Sequence, residues 1–120
     1  MAAISGTFLN LCQQGDEIAA VKTLYGGSTS LLENVLPDYG ITCRFVEDED
    51  DIASYEAAIT DKTRAVYVEC LGNPGMNIVD LEAIGEVAHA HGIPVVIDNT
   101  FATPYLFRPF EHGADIVCYS

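Results

Sequence analysis

The fold is decided by one stretch of the sequence, Pro94-Val95-Val96-Ile97-Asp98-Asn99-Thr100. Its apolar residues follow one another without polar alternation, which is typical of a strand covered by helices on both faces in a parallel sheet. The run then carries Asp98, Asn99 and Thr100 to its carboxyl end. Ligands of open parallel sheets bind outside the carboxyl ends of the strands, so the stretch predicts both a fold class and the position of a site.

The segments on either side alternate between helical and strand patterns. The clearest helix is predicted from Asp80, a good N-cap, to His91, and Gly92 with Pro94 closes it. Further strands are predicted at 17–21, 41–46, 64–70 and 114–120, and further helices at 2–13, from a cap at Ser28 or Thr29 to about Leu36, at 52–59 and near 105–112. This alternation predicts an α/β fold with a three-layer, mostly parallel sheet and right-handed crossovers.

The composition excludes several classes of protein. The 120 residues make roughly one domain on the usual prior of about 100–200 residues. A content of 49% hydrophobic and 19% charged residues is too apolar for a disordered chain. No run approaches the roughly 18–20 apolar residues of a membrane-spanning helix. The net charge of −13 would repel phosphate backbones, so we expect neither a membrane protein nor a nucleic-acid partner.

The N-terminus and the cysteines indicate the cellular compartment. The first basic residue is Lys22, so the start lacks the positive segment of a secretory signal. The four cysteines have neither the paired spacing of a zinc site nor the density of a disulfide scaffold. We therefore expect a cytoplasmic protein with reduced, mostly buried thiols at Cys12, Cys43, Cys70 and Cys118.

Motifs for several other chemistries are missing. Gly26-Gly27 does not complete a dinucleotide fingerprint, and neither a P-loop nor a Gly-x-Ser-x-Gly nucleophile motif occurs. His89 and His91 lie at spacing i, i+2, which places them on different faces of a helix. The acidic run 47–51 lacks the glycine and ligand spacing of a calcium loop. We expect no metal site, and we interpret the run as a solvated loop that places negative charge at the next helix N-terminus.

Polar residues that follow the apolar runs are the site candidates. An ionised carboxylate at Asp98 is costly unless a cation or several donors pair with it. Two interpretations stay open: a capping or hydrogen-bonded loop aspartate, or a carboxylate for a cationic ligand atom such as the protonated pyridine nitrogen of a cofactor. Asn73 before Pro74 could be only a turn-former, and Tyr25 beside Gly26 only a packed tyrosine.

Four motifs occur in a characteristic order. They are Leu24-Tyr25-Gly26-Gly27-Ser28, Glu69-Cys70-Leu71-Gly72-Asn73-Pro74, the stretch from Val96 to Leu106, and His112-Gly113-Ala114-Asp115-Ile116-Val117 with Ser120. Together they resemble the Cys/Met-metabolism family of pyridoxal-phosphate enzymes over essentially the whole chain. The resemblance implies the large domain of a fold-type I enzyme, pyridoxal 5'-phosphate as the cofactor, a small amino-acid substrate and a homo-oligomer of the tetramer type when intact.

The resemblance also implies roles around the cofactor ring. Tyr25 matches the tyrosine that stacks on the ring and assists proton transfer, and Asp98 matches the aspartate that pairs with the pyridine nitrogen. Asn73 matches an asparagine near the phenolic oxygen. Glu69 supports the site, and Thr100 lies near the ring.

The main departures from the family pattern lie near the residues that match its phosphate-binding groups. Ser120 matches a serine that hydrogen-bonds the phosphate, and Met1 falls in the phosphate-binding turn of the first helix, whose preceding glycine is missing. The family's Schiff-base lysine follows this serine in a Ser-x-Thr-Lys pattern, and only Lys22 and Lys62 are present. We therefore expect residues 1–120 to be a partial cofactor-binding domain, truncated at both ends and inactive as an isolated chain.

The branch within the family is indicated by two loops. Residues 25–27 and 71–74 resemble the sulfhydrylase branch, which makes homocysteine by γ-replacement on O-acetylhomoserine. Methionine γ-lyase, cystathionine γ-synthase and the cystathionine lyases are the alternatives within the family. A non-catalytic α/β interaction domain is the alternative from another class, since it would account for the missing lysine without truncation.

Overall fold

The computed structural model describes all of residues 1–120 and contains one five-stranded sheet. The strands are β1 (Glu17–Ala20), β2 (Thr42–Phe45), β3 (Thr63–Glu69), β4 (Val95–Asp98) and β5 (Ile116–Cys118). They lie in the order β2-β1-β3-β4-β5, and every neighbouring pair is parallel. The predicted parallel α/β sheet is confirmed.

Helices connect the strands. They are α1 (Ala2–Leu11), α2 (Gly26–Ser30), α3 (Ile52–Ala58), α4 (Leu81–Ala90) and α5 (Thr103–Leu106). Helix α2 continues through a π-helical turn at Leu31–Val35 and a 3-10 turn at Leu36–Tyr39, and a further 3-10 turn covers Pro109–His112. None of these helices has the length and apolar character needed to cross a membrane.

Helices cover both faces of the sheet. Tyr67 contacts the Phe8 ring of α1 edge-on at 5.2 Å, and its hydroxyl donates to Ser28 of α2 at 3.3 Å. Helices α1 and α2 therefore cover the same face of the sheet. On the opposite face, Leu81 of α4 lines a cavity together with Ile97 of β4. With a helical layer on each side of the sheet, the three-layer prediction is confirmed.

The predicted cap of α2 is wrong. The helix begins at Gly26, and its N-cap residue is Tyr25, which has no capping side-chain bond of its own. Ser28 lies inside the helix and is buried, where its hydroxyl oxygen accepts from Tyr67. The Tyr25 N–H is instead bound by the carboxylate of Glu69 from β3. A partner distant in sequence satisfies this N–H, so local capping signals could not locate the start of the helix.

The acidic run is only partly the solvated loop that we expected. Asp51 caps α3 by accepting from the Ala53 N–H, as predicted. Glu49, however, is half-buried: Oε1 accepts from the Thr23 N–H at 2.6 Å and Oε2 from the Asn77 amide at 2.6 Å. This carboxylate links the loops that follow β1 and β3 through hydrogen bonds.

The sequence also makes predictions for the cysteine thiols and the histidine imidazoles. All four cysteines are free, and three of them are buried, as expected. His89 and His91 lie against different carboxylates, Asp115 and Glu56. No group of three or more His, Cys, Asp or Glu side chains is arranged to hold a metal ion.

Candidate functional site

Most of the predicted site residues meet in one cavity at the carboxyl edge of the sheet. Its volume is about 170 Å³. Six of the seven predicted residues line it, together with Cys70, Leu71 and Phe101; the six are Tyr25, Glu69, Asn73, Asp98, Thr100 and Ser120. The cavity therefore brings together residues that are up to 95 positions apart, from Tyr25 to Ser120.

The parallel sheet explains why these residues converge. Glu69 ends β3 and Asp98 ends β4, and the two residues are paired in the register of these strands. Tyr25 lies in the connection after β1, and Ser120 follows β5. All four strands run in the same direction, so their ends place these residues on one edge.

Asp98 uses one oxygen in the protein and leaves the other free. Oδ1 accepts hydrogen bonds from the N–H of Thr100 at 2.8 Å and from the Thr100 hydroxyl. The Thr100 hydroxyl oxygen in turn accepts from the Ser120 N–H at 2.9 Å, which joins the ends of β4 and β5. Oδ2 has no hydrogen-bond partner. The two interpretations of Asp98 are thus compatible, because Oδ1 serves the loop while Oδ2 is available to a ligand.

Glu69 is the more deeply buried carboxyl group. Its residue is 7% exposed, and its two oxygens lie 3.0 and 3.1 Å from the backbone nitrogen of Tyr25, which donates to them. Burial raises the pKa of Glu69 above its ordinary value, and the negative charge of Asp98 adds to the rise. Hydrogen bonding by the Tyr25 N–H and by the Ser28 side chain opposes it. Two neighbouring carboxyl groups therefore face one small cavity.

No cationic side chain of the chain neutralises these two groups. Neither Glu69 nor Asp98 forms an ion pair. Four of the five Lys and Arg side chains pair elsewhere, in Lys22–Glu47, Arg44–Glu17, Arg64–Asp16 and Arg108–Glu111. The three histidines contact other carboxylates, in His89–Asp115, His91–Glu56 and His112–Glu82. Because an enclosed carboxylate is costly without a cation, a ligand that brings a cationic atom into the cavity would stabilise these two groups.

Three further polar groups around the cavity also lack protein partners. The Tyr25 hydroxyl, the Asn73 side-chain amide and the Ser120 hydroxyl make no hydrogen bond within the protein, and all three residues line the cavity. The Tyr25 residue is 54% exposed, so its ring offers a face to a ligand. The edge thus presents a carboxylate, an aromatic ring and several hydrogen-bonding groups to the same small volume.

Met1 is not among the lining residues. It is the N-cap of α1, and its sulfur lies 3.2 Å from the point where a Cβ at Gly27 would stand. The start of α1 therefore lies against the first turn of α2, beside Tyr25. The first N–H groups of an α-helix have no intrahelical partner and attract anions, so a phosphate contact at this turn stays a prediction.

Sequence reasoning missed the reason why Gly27 is a glycine. A Cβ at this position would stand 2.6 Å from Cε1 of the Tyr25 ring. The ring is folded back over the first turn of its own helix, and a side chain at residue 27 would force it to move. Cys70, Leu71 and Phe101 were also not singled out; each directly follows or closely flanks a predicted residue, which was the available signal.

The parallel α/β sheet presents an unpaired carboxylate, a loop tyrosine and free hydroxyl groups at its strand ends, a set of groups suited to binding a small-molecule ligand. The sequence profile of the Cys/Met metabolism PLP-dependent enzymes matches residues 1–120. The chain belongs to this family, whose cofactor is pyridoxal phosphate.

Curated relatives and a solved structure support this assignment. The chain is 47% identical to O-acetyl-L-homoserine sulfhydrylase of Leptospira meyeri, with 93% of the chain and 25% of the relative aligned. It is 46% identical to L-methionine gamma-lyase of Pseudomonas deceptionensis, with 100% and 30% aligned. A structure of an O-acetylhomoserine (thiol)-lyase from Campylobacter jejuni superposes on the chain with a TM-score of 0.93 at 39% sequence identity. The superposition covers 99% of this chain and 29% of that one, and that structure carries a pyridoxyl-lysine monophosphate. The chain spans about a quarter of the length of the curated sulfhydrylase.

The free groups of the cavity fit this cofactor. Asp98 Oδ2 can accept from a protonated ring nitrogen, and the exposed face of Tyr25 can stack on an aromatic ring. The Asn73 amide and the Ser120 hydroxyl can donate to oxygens. The chemistry of this donor set matches a flat, cationic-nitrogen heterocycle that carries an anionic group.

Proposed function

We propose that residues 1–120 are part of the large, cofactor-binding domain of a pyridoxal-phosphate enzyme that makes homocysteine by γ-replacement on O-acetylhomoserine. In this reaction the sulfur of sulfide bonds to the γ-carbon while acetate leaves from it. The proposal rests on the family and on the sulfhydrylases among the relatives. The observation that carries it is the free oxygen of Asp98, facing a cavity that no cationic side chain of the chain enters.

In this proposal the cavity residues have separate roles. Asp98 binds a protonated ring nitrogen and keeps the proton there, while Thr100 fixes the orientation of the carboxylate through Oδ1. Tyr25 holds the flat face of the ligand and, through its hydroxyl, accepts or donates a proton near the substrate. When bound, the cofactor supplies an electron sink that allows a proton to leave the substrate's α-carbon.

The anionic end of the ligand is held by different residues. The Ser120 hydroxyl and the first N–H groups of α1, next to Met1, donate to phosphate oxygens. The Asn73 amide donates to the phenolic oxygen. In the same proposal the chain continues beyond these 120 residues, because the aligned relatives are three to four times longer. The intact protein is a cytoplasmic homo-oligomer, and its Schiff-base lysine lies outside residues 1–120.

Methionine γ-lyase activity is the second candidate. The relative named as such is 46% identical over the whole chain, only one percentage point below the sulfhydrylase. A lyase eliminates the γ-substituent without a replacing nucleophile, and the γ-carbon takes up a proton instead. The residues of this cavity serve both reactions equally, so the distinction lies in what occupies the γ side of the substrate.

The test is an assay of the full-length protein that contains residues 1–120, reconstituted with pyridoxal phosphate. We expect a yellow protein whose visible absorption is removed by borohydride, and we expect homocysteine and acetate from O-acetylhomoserine plus sulfide. Formation of methanethiol from methionine as the faster reaction would overturn the sulfhydrylase assignment in favour of the lyase. A protein that does not take up the cofactor would contradict both.

A further inference from the structure

We propose that Glu69 is a positioning residue that acts through Tyr25. It fixes the backbone from which the Tyr25 ring reaches over the cavity, and it does not itself bind the ligand. This inference rests on the proposed function, because it concerns how the tyrosine of that site is held. It also gives a role to the most buried carboxyl group of the cavity, which has none in the proposed function.

The contacts of Glu69 are directed at the polypeptide. Both carboxylate oxygens lie within hydrogen-bond distance of one donor, the Tyr25 N–H, at 3.0 and 3.1 Å. This N–H belongs to the N-cap residue of α2, a position that usually carries its own capping side chain and here does not. Glu69 therefore ties the end of β3 to the start of α2, across 44 residues of sequence.

The ring of Tyr25 depends on this tie. Its Cε1 lies over Gly27, where a Cβ would be only 2.6 Å away, so the ring occupies the space that a side chain at residue 27 would need. The Tyr25 hydroxyl makes no hydrogen bond of its own within the protein. The Tyr25 hydroxyl is free and its ring is half-exposed, so the backbone end of this residue is the end that Glu69 holds.

The cost of burial supports a dedicated role. Taking a carboxylate out of water is unfavourable unless its oxygens are well bound, and no cation compensates Glu69. An apolar residue at this strand end would pack at lower cost. It would also leave the Tyr25 N–H without a partner and free the start of α2 to rotate, which would move the ring away from the cavity.

Two substitutions separate the positioning role from a role of the charge. Glu69→Gln keeps the length of the side chain and one oxygen acceptor for the Tyr25 N–H, but it removes the charge. Glu69→Asp keeps the charge, but its chain is one methylene shorter and cannot maintain the contact. A positioning residue tolerates the first change and not the second, whereas a ligand-binding charge does the reverse.

The experiment places 3-fluorotyrosine at position 25 of the full-length protein and records its ¹⁹F resonance without cofactor. We expect one sharp resonance in the wild type and in Glu69→Gln, and a shifted or broadened resonance in Glu69→Asp. With cofactor bound, kcat should fall about a hundredfold in Glu69→Asp, as for a misplaced catalytic group, and stay close to wild type in Glu69→Gln. Thermal unfolding of both variants checks that each is folded.

The opposite pattern would overturn the proposal. If Glu69→Asp keeps the wild-type ¹⁹F resonance, or if Glu69→Gln loses activity while Glu69→Asp keeps it, Glu69 acts through its charge. The ¹⁹F measurement needs neither cofactor nor substrate. A wild-type protein that fails to bind pyridoxal phosphate would therefore refute the proposed function while leaving the link between Glu69 and Tyr25 to be decided by the spectra.

Discussion

Carboxylates occur in two very different settings in this molecule, on the surface around α4 and in the cavity at the strand ends. Around α4, each of three carboxylates lies 2.7 to 2.8 Å from an imidazole nitrogen: Glu82 with His112, Asp115 with His89 and Glu56 with His91. In the cavity, Glu69 and Asp98 are more buried and have no cationic partner. The exposed carboxylates are paired and the enclosed ones are not.

This contrast is opposite to what stability alone would favour. Ion pairs at exposed positions contribute little, because water screens them, whereas an enclosed carboxylate gains most from a cation. A chain with 18 acidic residues and 5 lysines and arginines has few cations to distribute, yet it places them almost entirely outside the cavity. The charge of the cavity is therefore available to a group that the chain does not supply.

The largest effect should come from removing that charge. Asp98→Asn keeps an oxygen for the Thr100 contacts but eliminates the carboxylate, so we expect the kcat of the full-length enzyme to fall about a thousandfold. The control is Glu56→Gln, which removes an exposed carboxylate whose side-chain contact is with His91 and should leave kcat near wild type. Equal losses in the two variants would show that the contrast between the two settings has no functional meaning.

A smaller effect is expected from crowding the tyrosine. Gly27→Ala introduces a Cβ that would stand 2.6 Å from the Tyr25 ring, so the ring must move, and we expect kcat to fall about tenfold with little change in unfolding temperature. Gly26→Ala is the control, because nothing lies within 4 Å of a Cβ there. If the two alanine variants have the same kcat, the position of the Tyr25 ring over Gly27 does not matter.

The smallest effect should come from the α4 surface. Glu82→Gln removes the carboxylate that lies 2.8 Å from Nδ1 of His112 at an exposed position, so the free energy of unfolding should drop by less than about 1 kcal/mol. Urea unfolding of the full-length protein measures this difference, and kcat should not change. A loss of activity would mean that the surface pairs support the site after all.

The strands and their polar ends could be predicted from the sequence because the signals are local. The apolar run from Val95 to Ile97 predicts a buried parallel strand, and the residue after it must lie at the carboxyl edge. Once several strands are parallel, their following residues are forced to the same edge. This is why the sequence alone predicts that Asp98, Asn73 and Ser120 lie near one another.

The fine structure of the cavity could not be predicted, because it depends on contacts between distant residues. The start of α2 is fixed by Glu69, 44 positions after Tyr25, and Ser28 is drawn into the core by Tyr67. Glu49 looked like one of several solvated acids, yet it binds Thr23 and Asn77. No periodicity or capping rule contains these pairings, because each arises only when the strands have been assembled side by side.

The central claim is that Asp98 holds a protonated ring nitrogen, and ¹⁵N NMR tests it most directly. The full-length protein would be loaded with pyridoxal phosphate labelled at the ring nitrogen, and the chemical shift would be recorded for the wild type and for Asp98→Asn. We expect the shift of a protonated pyridine in the wild type and of an unprotonated one in the variant. An unprotonated nitrogen in the wild type, or the same protonated shift in both proteins, would contradict it.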